Sequence, residues 1–78
     1  MNKNLGLLIA QGFDLKMFWS CTVTEYEISL IGWNTLEVQA YCLSKGFKVY
    51  NYCYADNPKV TELNNDGIRI VLMPMPNL

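Results

Sequence analysis

A two-layer α+β fold, with one helix laid on a mixed sheet of about four strands, is what three features of this 78-residue chain predict. The first is an alternation of apolar and polar residues from Leu15 to Leu30, the period of half-buried strands. The second is a helix punctuated at both ends between Asn34 and Gly46. The third is a pair of β-rich segments after it, Lys48–Tyr54 and Ile68–Met73.

Taken in order, residues 4–11 read as a short helix closed by Gly12 or, equally, as a short buried strand, because so brief an apolar run does not declare its period. From Leu15 through Met17, Trp19, Cys21 and Val23 every second residue is apolar, and after Thr24-Glu25 the parity flips to Tyr26, Ile28 and Leu30. A hairpin with Thr24-Glu25 at its tip explains the flip, pairing Val23 with Tyr26, Cys21 with Ile28 and Trp19 with Leu30 on one face. Thr-Glu lacks the glycine or asparagine of a tight primed turn, so one long bulged strand is the competing account.

The helix spans Thr35–Lys45 on sequence grounds. Asn34 is placed to cap it, Glu37 to close the capping box, and Trp33 with Val38 to form a hydrophobic staple. Lys45 suits the dipole of the last turn, and Gly46 supplies a left-handed exit. Leu36, Ala40 and Leu43 share a face at helical spacing and form the expected contact with the sheet.

Lys48–Tyr54 then reads as a strand with Val49 and Cys53 on one side and Tyr50, Tyr52 and Tyr54 on the other. Strand, helix and strand make a βαβ-like unit that places 26–31 and 48–54 as parallel neighbours. Residues 58–63 suit either a short helical turn behind Asn57-Pro58 or a strand that hairpins through Asn64-Asn65-Asp66-Gly67. Ile68, Ile70 and Leu72 form a C-terminal strand that Pro74 and Pro76 end, leaving 74–78 as an extended tail of a single domain, 1–78.

Composition bounds the function. Apolar residues make up 51% and charged residues 17%, below the usual share of about 25%, which points to a packed body rather than disorder. A net charge of −1 offers neither a phosphate backbone nor an anionic membrane an attractive field. The apolar run Leu5–Ala10 is shorter than a signal-peptide core, and no stretch approaches the ~20 residues of a membrane span. Three cysteines, Cys21, Cys42 and Cys53, are an odd number for a disulfide framework, and they read as small buried hydrophobes of a reducing, cytoplasmic protein.

Catalysis is hard to assemble from this inventory. The chain has no histidine, which removes the commonest general base and the common zinc frameworks. Glu25 and Glu27 sit two apart but read as solvated edge charges, and the spacing of Asp56, Glu62 and Asp66 does not match an EF-hand loop. No phosphate-binding glycine loop or nucleophile elbow occurs. The expectation is a non-enzymatic protein without metal or cofactor.

What remains is a surplus of large side chains: Phe18, Trp33, Tyr41, Met73, Met75 and the stripe Tyr50, Tyr52, Tyr54. Aromatic residues and methionine are enriched at protein interfaces, where charges are depleted. A single helix leaves the second sheet face open unless the amino-terminal segment, a second copy or a target covers it. Tyr50, Tyr52, Tyr54, Phe18 and Trp33 are therefore the candidate partner-binding residues, and the expected partner is another protein or a second copy of this chain. Occlusion of a partner's surface would be the mechanism. Small accessory proteins of phages or mobile elements that inhibit host machinery share this size and this lack of catalytic residues, an analogy of scale. The alternative is a single-stranded nucleic-acid binder with the tyrosines as a stacking platform, weakened by the absence of a basic surplus and of an RNP1 pattern.

Overall fold

The computed structural model describes residues 6, 8, 10, 12–52, 56–65 and 67–76. It is an α+β fold with a five-stranded mixed sheet, one strand more than the sequence suggests. The strands are β1 (Phe18–Val23), β2 (Ile28–Trp33), β3 (Lys48–Asn51), β4 (Thr61–Asn65) and β5 (Ile68–Met73), in the spatial order β1-β2-β5-β4-β3. The central helix, Leu36–Ser44, joins β2 to β3. Residues 4–11 lie partly outside the described residues, but Gly6, Leu8 and Ala10 have helical backbone and Gly12 follows at φ 72°, the left-handed stop.

The sheet is centred on β5, and its sequence says why. Ile-Arg-Ile-Val-Leu-Met is a nearly continuous apolar run, as a strand bracketed on both edges requires, and Ile68, Ile70, Val71 and Leu72 are all buried. It runs parallel to β2 and antiparallel to β4, while β4 is antiparallel to β3. Strands β2 and β3 therefore point the same way, as a βαβ-like unit demands, but they are not neighbours: the β4–β5 hairpin inserts between them. Segment 58–63 resolves in favour of the strand, since Asn65 pairs with Ile68 across a tight turn whose Gly67 has φ 80°. Asp66 lies outside the described residues.

The first hairpin forms with a register two residues removed from the expected one. Val23 faces Ile28 and Cys21 faces Leu30. A two-residue Thr-Glu turn has no residue suited to positive φ; instead the Thr24 hydroxyl accepts hydrogen bonds from the amides of Tyr26 and Glu27 and rounds a four-residue loop, 24–27. A bulge follows at Trp19, because Phe18 faces Gly32 and Ser20 faces Ile31. Trp19 is thereby expelled from the face it was expected to share with Cys21.

Helix punctuation agrees in kind and shifts by one residue. Thr35, not Asn34, is the N-cap, its hydroxyl accepting from the Val38 amide. Asn34 ties the β2–helix junction to the sheet: its side-chain amide donates to the Lys59 carbonyl and the Thr61 hydroxyl, its side-chain oxygen accepts from Gln39, and its backbone amide donates to the Met73 carbonyl. At the other end Gly46 has φ 91°, its amide donates to the Leu43 carbonyl and that of Phe47 to Cys42, the double bond pattern of a Schellman stop.

The inward face of the helix is not the one expected. Val38 and Cys42 are buried and Tyr41 packs partly on the core, whereas Leu36 is 85% and Leu43 50% exposed and Ala40 faces solvent. Both stripes keep helical spacing, so periodicity does not choose between them. Tertiary contacts do: the Tyr41 hydroxyl accepts from the Asp14 amide at 2.7 Å, and the Tyr41 ring meets Phe13 edge-on at 5.3 Å. Phe13 also stacks on Phe18 and touches Phe47, and it joins Leu8, Leu30, Leu63, Ile70 and Leu72 in a single buried cluster. The described part of the amino-terminal segment thus lies on the helix side of the sheet.

Candidate interaction surface

Register turns the strand sequences into rows across the outer face, the one away from the helix. One row runs Thr22, Ser29, Arg69, Asn64, Lys48 and is wholly polar. The next runs Ser20, Ile31, Val71, Glu62, Asn51. A third holds Trp33 beside Met73, and the bulged Trp19 packs its ring against Trp33 with centroids 4.2 Å apart. The outer face therefore grades from a polar end to an apolar end built on two half-exposed tryptophans. No described helix or strand covers it.

At the polar end a cleft of about 520 Å³ opens between Tyr26, Glu27, Tyr50, Glu62, Asn64 and Arg69. Arg69 Nε lies 3.2 Å from Glu27 Oε1, an ionic contact away from the N–H direction. The Ser29 hydroxyl donates to the same Glu27 oxygen at 2.9 Å, and Arg69 Nη2 reaches Ser29 at 3.4 Å. Both charged side chains remain well hydrated, so the pair contributes only about 0–1 kcal/mol to stability and acts mainly to hold Arg69 in place. Glu62 is different: the residue is only 7% exposed, and its carboxylate has no hydrogen bond or ion pair with any described residue.

The five candidate partner-binding residues separate. Phe18 packs on Phe13 and belongs to the core side. Trp33 stands on the outer face with Trp19. Tyr50 is the extra residue of a bulge in β3, where Val49 faces Leu63 and Asn51 faces Glu62, and it is 70% exposed on the rim of the cleft. Tyr52 is exposed just past the end of β3, and Tyr54 lies outside the described residues. Of the other surplus residues, Tyr41 is used by the fold, whereas Met75 is exposed. Sequence reasoning missed Trp19 and Tyr26 as surface residues. Each edge strand carries a bulge whose extra residue is aromatic, a device that re-aims one side chain without altering the pattern of the rest.

The cysteines also divide. Cys42 is buried and desolvation pushes its thiol up to about 11, against a weaker opposing backbone hydrogen bond, so it is no nucleophile at neutral pH. Cys21 is exposed on β1, contrary to the expectation that the cysteines are buried, because β1 is an edge strand. Cys53 lies outside the described residues. Among the described residues no three histidine, cysteine, aspartate or glutamate side chains gather as a metal site, and no helix is long and apolar enough to cross a membrane. No family model, curated protein or solved structure matches this chain.

Proposed function

We propose that this chain is a non-enzymatic binding module that docks the outer face of its sheet against another protein and works by occluding the surface it covers, in the manner of a small inhibitor. The observation that carries this reading is the open outer face itself, with Trp19, Trp33, Tyr26 and Tyr50 displayed on it. A paired tryptophan patch at one end of a face and a polar cleft at the other have the parts of an interface: large rigid side chains to desolvate, hydrogen-bonding groups for orientation. The neighbouring carboxylates Glu27 and Glu62 weigh against a phosphate backbone as the occupant.

The experiment is affinity capture with the wild-type chain and with Trp33→Ala, followed by reconstitution with the purified captured protein. Stoichiometric binding that the variant loses is the expected result. Light scattering after size exclusion and titration with a fluorescent oligonucleotide at two salt concentrations run alongside. A stable homodimer, or oligonucleotide binding that weakens steeply with salt, would replace the reading with self-association or single-strand binding.

A further inference from the structure

We propose that the cleft at the polar end of the outer face is a receptor for an arginine side chain. This deepens the protein-docking reading and rests on it, naming the chemistry the partner must present. Glu62 is the reason. A carboxylate on a side chain more than nine-tenths covered keeps few waters, so a hydrogen-bonded or ionic partner can replace them at little cost in hydration. Here it lines a cleft and has none among the described residues.

Register explains how the position arises. Glu62 faces Val71 on one side and Asn51 on the other, so its flanks are occupied by strands and it opens only outward. Its nearest cation in the cleft, Arg69, is held by Glu27 and Ser29. Among the described residues, two carboxylates against one guanidinium leave the cleft with one uncompensated negative charge. Lys48, exposed at the far end of the polar row, does not line the cleft.

The ligand is therefore a cation, and the walls select which kind. Tyr26 and Tyr50 stand exposed on the rim, giving two aromatic faces for a flat, weakly hydrated cation to stack on. Asn64 adds a side-chain carbonyl beside Glu62, so a planar fork of N–H donors can be met by more than one acceptor. Guanidinium satisfies all of these, whereas ammonium is a compact, strongly hydrated point charge. A volume of about 520 Å³ lies within the roughly 300–1,000 Å³ of ligand pockets.

The test uses the full chain and the blocked amino acid N-acetyl-arginine-amide, followed by amide chemical shifts in NMR titration. The lysine and citrulline counterparts serve as controls. Expected are saturable shifts at Glu62, Asn64 and Tyr50 with the arginine compound, at least tenfold weaker binding of the citrulline isostere, and intermediate or weaker binding of lysine. Glu62→Gln should lose at least tenfold in affinity with an unchanged or raised melting temperature, which separates lost charge from lost fold. Citrulline bound as well as arginine, lysine bound better, wild-type affinity in Glu62→Gln, or no shifts in the cleft would each overturn the proposal. A partner captured through Trp33 in that event would leave the docking reading standing.

Discussion

The two faces of the sheet use the same five strands in opposite ways. On the helix side, successive rows read Val23, Ile28, Ile68, then Cys21, Leu30, Ile70, Leu63, Val49, then Phe18, Gly32, Leu72. In β1, β2 and β5 every position there is apolar or glycine. Polar residues (Asn65 and Thr61) enter the first and third rows only in β4, and the middle of each row is buried. On the outer side the rows pass from fully polar to tryptophan-lined, with the largely covered Glu62 between. The contrast teaches where stability resides. The first face is held by volume and burial, the second by a few groups placed individually, so the same kind of substitution should have very different consequences on the two.

The largest effect is expected from Leu30→Ala at the centre of the inner face, where no part of the side chain is exposed. Such truncations cost about 2–5 kcal/mol, enough to unfold a domain this small, and urea denaturation reads it directly. A loss below that range would mean the inner face tolerates repacking and the contrast is weaker than drawn.

Gly32→Ala comes next. A Cβ there would sit 2.8 Å from Phe18 Cδ1 and 3.3 Å from the Met17 carbonyl, and Phe18 is pinned by its stack on Phe13. Overpacking of this kind costs roughly 1–3 kcal/mol, to be read from the shift in denaturation midpoint. For Gly46→Val, space is not the issue, since the nearest atom to a Cβ is Asn65 Nδ2 at 3.6 Å. The φ of 91° is, and forcing an L residue into it should cost on the order of 1–2 kcal/mol, seen as a lower melting temperature.

The inner face also carries a pH signature. Because burial raises the Cys42 thiol from 9.0 to about 11, the folded state keeps its proton where the unfolded state has lost it. That contribution to stability is fully present below about pH 9 and is lost as pH rises towards 11. Replacing Cys42 by alanine should flatten this part of the stability–pH curve; an unchanged slope would show that another group causes it.

The smallest effect is predicted for Leu43→Ala and Leu36→Ser on the outward side of the helix. Leu36 stands largely in water and Leu43 is half exposed, so stability should change by no more than about 0.5 kcal/mol for Leu36→Ser and about 1 kcal/mol for Leu43→Ala in thermal melts. A loss of 2 kcal/mol or more, as a core leucine would give, would reverse the assignment of the helix faces.

Legibility differs sharply between elements. Gly46 and Gly12 were readable because only glycine sits easily at positive φ, a restriction local to the residue. The helix was readable from its caps, although Thr35 and Asn34 are equally good cap chemistry and only the pull of Asn34 towards Lys59 and Thr61 decides between them. The inward face was not readable, since two apolar stripes compete. Within the candidate surface, Tyr50, Tyr52 and Trp33 were legible as surplus aromatics, whereas Phe18 was misjudged because Phe13 takes it into the core. Glu62 was seen only as one acidic residue among several; its burial depends on which strands flank it, a fact of pairing rather than of composition.

Sequence alone determined the class of the fold, the helix with its glycine exit, the strand character of the Ile68–Met73 run and the absence of histidine. Each of these follows from local backbone preference or from a residue type's own chemistry. Only the tertiary structure decided the strand order, the faces of the helix and the bulges that turn Trp19 and Tyr50 outward. These depend on free-energy differences between alternative pairings of distant segments, and an alternating pattern serves several such pairings almost equally well.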